Sequence, residues 1–162
     1  MIKKIKSNNF DKLINTYYFS RFENKNLQLS VSKKVKLIDH YIWWFSNKRK
    51  FQVYELSNKK LIFFWYQKFY FKKKCFWTCG FHVDSNSNLN EIIKSYSNFL
   101  KFLKKKKKIP VVGLIIKKNI FLKKLNQDLG FANIQSSSDR VYQAIKKFYK
   151  IKDTSNYIFF EL

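Results

Sequence analysis

The chain has 162 residues, room for one domain with a full core and too few for two ordinary ones. Apolar residues make up 46% and aromatics 20%, while Gly (three) and Pro (one) are scarce, which excludes a disordered low-complexity chain and a Gly-rich phosphate loop. The formal net charge of +24 directs attention to anionic partners without saying which kind.

A short strand is expected at residues 2–5 and a helix over residues 10–22, where Leu13, Tyr17 and Phe22 fall partly in register. The polar stretch 24–29 reads as a loop. Residues 32–46 read as a second helix, with Ser32 as N-cap candidate and Val35, Ile38, Tyr41, Ile42 and Phe45 as its apolar face. Three strand candidates follow at residues 50–56, 60–69 and 75–83, separated by turns at Ser57-Asn58 and at the basic stretch 72–74. Turns this short imply an antiparallel meander. Gly80 falls inside the third of these strands, where glycine marks a bulge, a close approach of a ligand, or an ordinary weak spot.

Residues 90–107 carry the strongest helical period, with Ile92, Tyr96, Phe99 and Leu103 in one stripe that Ile93 and Leu100 widen. Lysines 104–108 load its C-terminus with the charge a helix dipole favours there. The stretch KIPVVGLIIKKNIFLKKLNQDLGF, residues 108–131, then reads as strand, turn and helix. Val111, Val112, Leu114, Ile115 and Ile116 form a run suited to a strand covered on both faces, and Pro110 stands at its start. Asn119 is a good N-cap, Leu122, Leu125 and Leu129 share a helix face, and Gly130 is placed for a left-handed cap. Residues 132–135 and 141–148 flank a turn at 136–139. They form a last hairpin, or the second of them forms a short helix. Residues 157–160 are expected as an extra edge strand.

A buried strand followed by N-x-x-x-x-x-L-N-x-x-L-G-F, here Asn119, Leu125, Asn126, Leu129, Gly130 and Phe131, resembles the fifth strand and fourth helix of GNAT-fold acyltransferases. The segment SKKVKLIDHYIWWF resembles the second helix of GNAT enzymes that acetylate amino groups on nucleotide-linked sugars, with His40, Trp43 and Trp44 in an H-x-x-W-F-like ending. The order of elements agrees over roughly residues 30–135. The resemblance implies an α+β fold: a mixed, mostly antiparallel twisted sheet with helices on both faces, splayed between its fourth and fifth strands. It implies one domain over residues 1–162, with 149–162 as a C-terminal extension.

The same resemblance implies acetyl transfer from acetyl-CoA to a primary amine; the H-x-x-W-W feature tilts the acceptor toward an amino sugar on a nucleotide carrier, with a small-molecule amine or a protein N-terminus as the alternatives. The pantetheine arm would add to the exposed backbone of the fourth strand. Backbone groups of Phe81 and Val83 would meet the thioester and its oxyanion. Ser85, Ser87 and Asn88 would face the pyrophosphate, with Asn119 a further cofactor-binding candidate. The family normally has Arg or Gln followed by x-x-G-x-G/A in that loop. This chain has SNSNLN, with neither glycine nor arginine. His82 and His40 are the histidines available as a general base for the amine. Asn126 stands where many members carry the tyrosine that protonates the leaving thiolate. Asn cannot act as an acid, so the proton would come from water or another residue. Trp43 and Trp44 would stack on the acceptor. The plainer readings keep His40 on the helix surface, the tryptophans in the core and His82 facing solvent.

Lys, Asn, Ile, Phe and Tyr are enriched together while Arg stands at only three positions, Arg21, Arg49 and Arg140, a skew that an AT-rich coding sequence imposes. Arginine is the residue suited to forked phosphate contacts, so the charge alone is a weak sign of nucleic acid. The competing class is a non-catalytic basic module of this fold that binds nucleotide or RNA, for which lysines and aromatics suffice. Cys75 and Cys79 have no second pair, which disfavours zinc, and a disulfide within one strand is geometrically poor. With no signal-peptide core and no membrane-length apolar run, a reduced cytoplasmic protein without metal is expected.

Overall fold

Consecutive side chains of a strand point to opposite faces, and the aromatic run of the third strand exploits this. In the computed structural model, which describes residues 3–5, 10–23, 35–83, 87–106 and 109–162, Phe63 meets Tyr17 from one helix while Phe64 stacks on Tyr96 and Phe99 from another. The elements in order are β1 (Lys3–Ile5), α1 (Phe10–Glu23), α2 (Leu37–Ser46), β2 (Lys50–Glu55), β3 (Leu61–Phe71), β4 (Lys74–Val83), α3 (Leu89–Lys106), β5 (Val111–Ile116), α4 (Ile120–Asp128), β6 (Ala132–Ile134), α5 (Arg140–Phe148) and β7 (Tyr157–Glu161). The strands follow the order β1-β2-β3-β4-β5-β7-β6. The chain divides into two compact units, Met1–Trp65 with Gly80–Phe99, and Tyr66–Cys79 with Leu100–Leu162.

In the first unit, β1 pairs antiparallel with β2 from Lys3↔Glu55 to Ile5↔Val53. α1 covers one face through Tyr17 against Phe51 and Phe63, and α3 covers the other through Tyr96 and Phe99 against Phe64. The Glu91 carboxylate, in the first turn of α3, accepts the Ser57 N–H of the β2–β3 turn.

In the second unit, β5 is buried at Val111, Val112, Leu114 and Ile115. It pairs antiparallel with β7 along five rungs, from Val112↔Glu161 to Ile116↔Tyr157. Its parallel ladder with β4 has two rungs, Trp77↔Val111 and Thr78↔Val112. Asn119 caps α4, its Oδ1 accepting the Leu122 N–H at 2.9 Å, and Gly130 takes φ 87° just past the helix. Asp139 caps α5 through the Val141 and Tyr142 N–H groups. On one face Phe148 packs on Phe69, which stacks on Phe76, and on the other Tyr66 meets Trp77 and Phe102.

Three expectations are corrected and one open alternative is decided. The second helix starts at Leu37, with Val35 and Lys36 ahead of it, and Ser32 lies outside the described residues. Its inner face is also different: Ile38, Ile42 and Phe45 are more than 60% exposed, whereas His40 is buried and Trp43 and Trp44 pack inward. Residues 140–148 are a helix, since Asp139 supplies a cap that favours helix over strand. The segment expected as an extra edge strand is β7, which lies between β5 and β6, so its backbone groups are paired on both sides. The loop expected at 24–29 lies outside the described residues.

Candidate functional site

In the first unit, α1, α2 and the C-terminal half of β4 converge on the ring of Tyr17. Tyr17 stacks on His40 at 5.7 Å between centroids and meets His82 edge-on at 4.9 Å. The two histidines of the chain therefore share one aromatic neighbour. His40, at 1% exposure, is further packed against Tyr18 and stacked on Trp43. Trp44 stacks on Phe51 at 4.4 Å and meets Tyr17 edge-on. His82 is half-buried, one residue from the end of β4.

The α2–β2 corner beside this cluster is tightly determined. Asn47 donates Nδ2–H to the carbonyls of Trp43 and Trp44, closing the helix end, and accepts the Arg49 N–H on Oδ1 at 2.8 Å. That brings the Arg49 guanidinium over the Trp65 ring at 4.0 Å and over the Trp43 ring at 5.5 Å. Trp65 in turn lies on Gly80: a Cβ built there would meet the indole Nε1 at 2.8 Å. The glycine within β4 is thus explained by close approach of a side chain. Neither Arg49 nor Trp65 was legible as a site residue, because their juxtaposition joins a helix corner to the next strand but one.

Phe81 and Val83 are half-buried, on the opposite face of β4 from His82, with Phe81 against Phe64 and Tyr96. Ser85 lies outside the described residues. Ser87 is half-buried. Asn88 is exposed and caps α3, its Oδ1 accepting the Asn90 N–H at 2.9 Å. The first turn of α3 also carries Glu91. A phosphate at this helix end would therefore meet an N–H already engaged and a nearby carboxylate, so the residues fit a pyrophosphate only in part. β4 runs five residues past its last rung with β5 at Thr78.

In the second unit, Asn119 is 9% and Asn126 6% exposed, and Asn119 Oδ1 serves as the α4 cap. At the last rung of the β4–β5 ladder, the buried Thr78 hydroxyl lies 2.6 Å from that of Tyr149, at the end of α5. Tyr149 was not singled out from the sequence, where the preceding residues 141–148 read as a hairpin arm or a short helix. Cys75 and Cys79 form no disulfide. No helix among the described residues is long and apolar enough to cross a membrane.

No family model and no curated protein matches the sequence. Solved structures do match. An N-acetyltransferase from Staphylococcus aureus Mu50 superposes with a TM-score of 0.68 at 17% identity, over 100% of this chain and 96% of that one. The GNAT domain of S. lividans PAT gives 0.67 at 11%, over 99% and 88%. A ribosomal-protein-S5-alanine acetyltransferase from Vibrio fischeri gives 0.64 at 14%, over 99% and 91%. The chain therefore has the GNAT fold.

Proposed function

We propose that the protein is an acyl-CoA-dependent N-acyltransferase. The observation that carries this is the two-rung β4–β5 ladder within a GNAT fold: β4 continues to Val83 beyond its last partner on β5. An acyl-CoA arm added along that edge would span about 16 Å from Val83 back to the last rung, at about 3.3 Å per residue. Ser85, Ser87 and Asn88 would meet the phosphate end, and Phe81 and Val83 would offer backbone groups to the arm and the thioester oxyanion. Asn119 and Asn126 would take polar contacts on the α4 side.

His82 is the general base. It takes a proton from the acceptor amine as the nitrogen attacks the thioester carbonyl, and the C–N bond forms at the expense of the C–S bond. The thiolate then takes a proton from water, since Asn126 has none to give. Buried as it is, His40 serves by fixing Tyr17, and through it His82, while Trp43 and Trp44, packed inward and half-buried, would offer only their open edges to the acceptor. An amino sugar on a nucleotide carrier is the acceptor we favour, on the strength of the H-x-x-W-W ending of α2. The protein is read as cytoplasmic and as acting without a metal.

Acetyl-CoA should raise the thermal midpoint at moderate salt, and release of free thiol should require an added amine. If acetyl-CoA has no effect while RNA binds with an affinity that collapses with salt, the non-catalytic nucleotide- or RNA-binding alternative replaces this one.

A further inference from the structure

Among the described residues most cations are exposed lysines, as expected when 34 Lys and Arg face 10 Asp and Glu. Arg49 differs. It is half-buried, its guanidinium lies over two indoles, and its backbone is pinned through Asn47 to the end of α2. Among the described residues it makes no ion pair with a carboxylate. Arg140, by contrast, donates to the Lys72 carbonyl.

A guanidinium held over ring faces engages none of its N–H donors in doing so. Those donors form a fork that matches two oxygens of a phosphate or carboxylate. The usual cost of ordering a long side chain has been met by Trp43, Trp65 and Asn47 before any ligand arrives. Arg49 shares Trp43 with the ring cluster that holds His40, Tyr17 and His82. We propose that Arg49 is a preorganised receptor for an oxyanion group, phosphate or carboxylate, carried by the acceptor. Calling the ligand an acceptor rests on the acyl-transfer reading; the anion site itself does not.

The test is titration of intrinsic Trp fluorescence, without acetyl-CoA, at about 0.3 M salt, where diffuse charge is screened beyond a few ångströms. The probes are uridine diphosphate, inorganic pyrophosphate and citrate. Pyrophosphate and the nucleotide stand for phosphate, and citrate for carboxylate. Arg49→Lys keeps the net charge but loses the fork and the stack, so it should weaken binding at least tenfold, and Lys150→Ala should change it less than twofold. Equal binding by Arg49→Lys and the unsubstituted protein overturns the proposal, as does binding of every probe that vanishes with salt. A second measurement needs no variant: pyrophosphate or citrate should protect Arg49 from phenylglyoxal, read by mass spectrometry, and absence of protection by either overturns it equally. Protection together with no thermal effect of acetyl-CoA leaves the anion site standing and removes the transferase. A thermal effect of acetyl-CoA without protection does the reverse.

Discussion

The hydroxyls of Thr78 and Tyr149 lie 2.6 Å apart, joining the last rung of the β4–β5 ladder to the end of α5. Thr78 is fully buried, so removing the Tyr149 hydroxyl strands a polar group whose desolvation costs about 1–3 kcal/mol. Tyr149→Phe should destabilise by that order in urea, and Thr78→Val, which leaves the half-buried Tyr149, by less. The double variant should cost less than their sum by about 1 kcal/mol, because two apolar groups strand nothing. Strict additivity of the two substitutions would show that the pair does not interact.

Gly80 is held by Trp65 rather than by backbone strain. A Cβ at Gly80 would lie 2.8–2.9 Å from three indole atoms, so the ring must move. Gly80→Ala should cost about 1–3 kcal/mol, the usual range for overpacking. Since Arg49 stacks on the same ring, the variant should also weaken pyrophosphate binding. In a Trp65→Leu background the penalty should largely disappear. A neutral Gly80→Ala in chemical denaturation would refute the contact.

The strand–helix unit from Val111 to Gly130 was legible because its signals are local: an apolar run, an Asn cap and a glycine at positive φ. The three strands before it were legible for the same reason. α2 was misread because a hydropathy period ranks Ile38, Ile42 and Phe45 above His40, yet stacking with Tyr17, Tyr18 and Trp43 makes His40 the better-buried side chain. The place of β7 between β5 and β6 depends on pairing between Gly113 and Phe160, far apart in sequence. For the same reason the sequence placed His82 on a strand end but gave no sign of Tyr17 beside it, of Arg49 on Trp65, or of Thr78 on Tyr149.

Glu161 on β7 gives a pH dependence. Burial, followed by the nearby Asp139 carboxylate, raises its pKa, with Lys74 opposing. A carboxyl raised in the folded state is penalised when ionised, so the native protein carries this penalty at neutral pH. The penalty is relieved as pH falls through the raised pKa and is absent below the unfolded value. Glu161→Gln should therefore raise the thermal midpoint at pH 8, with the gain shrinking to nothing at pH 3. A variant less stable at pH 8, or a gain that grows toward acid, would reverse this sign.

The two histidines around Tyr17 should behave oppositely. His82 is half-buried near the end of β4, where an acceptor amine can reach it, whereas His40 is sealed between aromatic rings. General-base catalysis is worth about 10²–10⁴-fold, so His82→Gln should lower kcat by at least about a hundredfold and flatten the acid side of the pH–rate profile. Its acetyl-CoA affinity and urea midpoint should barely change. His40→Gln should instead lose stability by about 1–3 kcal/mol, because a fully buried ring stacked on Tyr17 and Trp43 is replaced by an amide that does not stack. Its kcat should fall far less once folded protein is counted. If His40→Gln were the inactive, stable variant and His82→Gln the active one, the base would be misassigned and the proton would leave by way of α2.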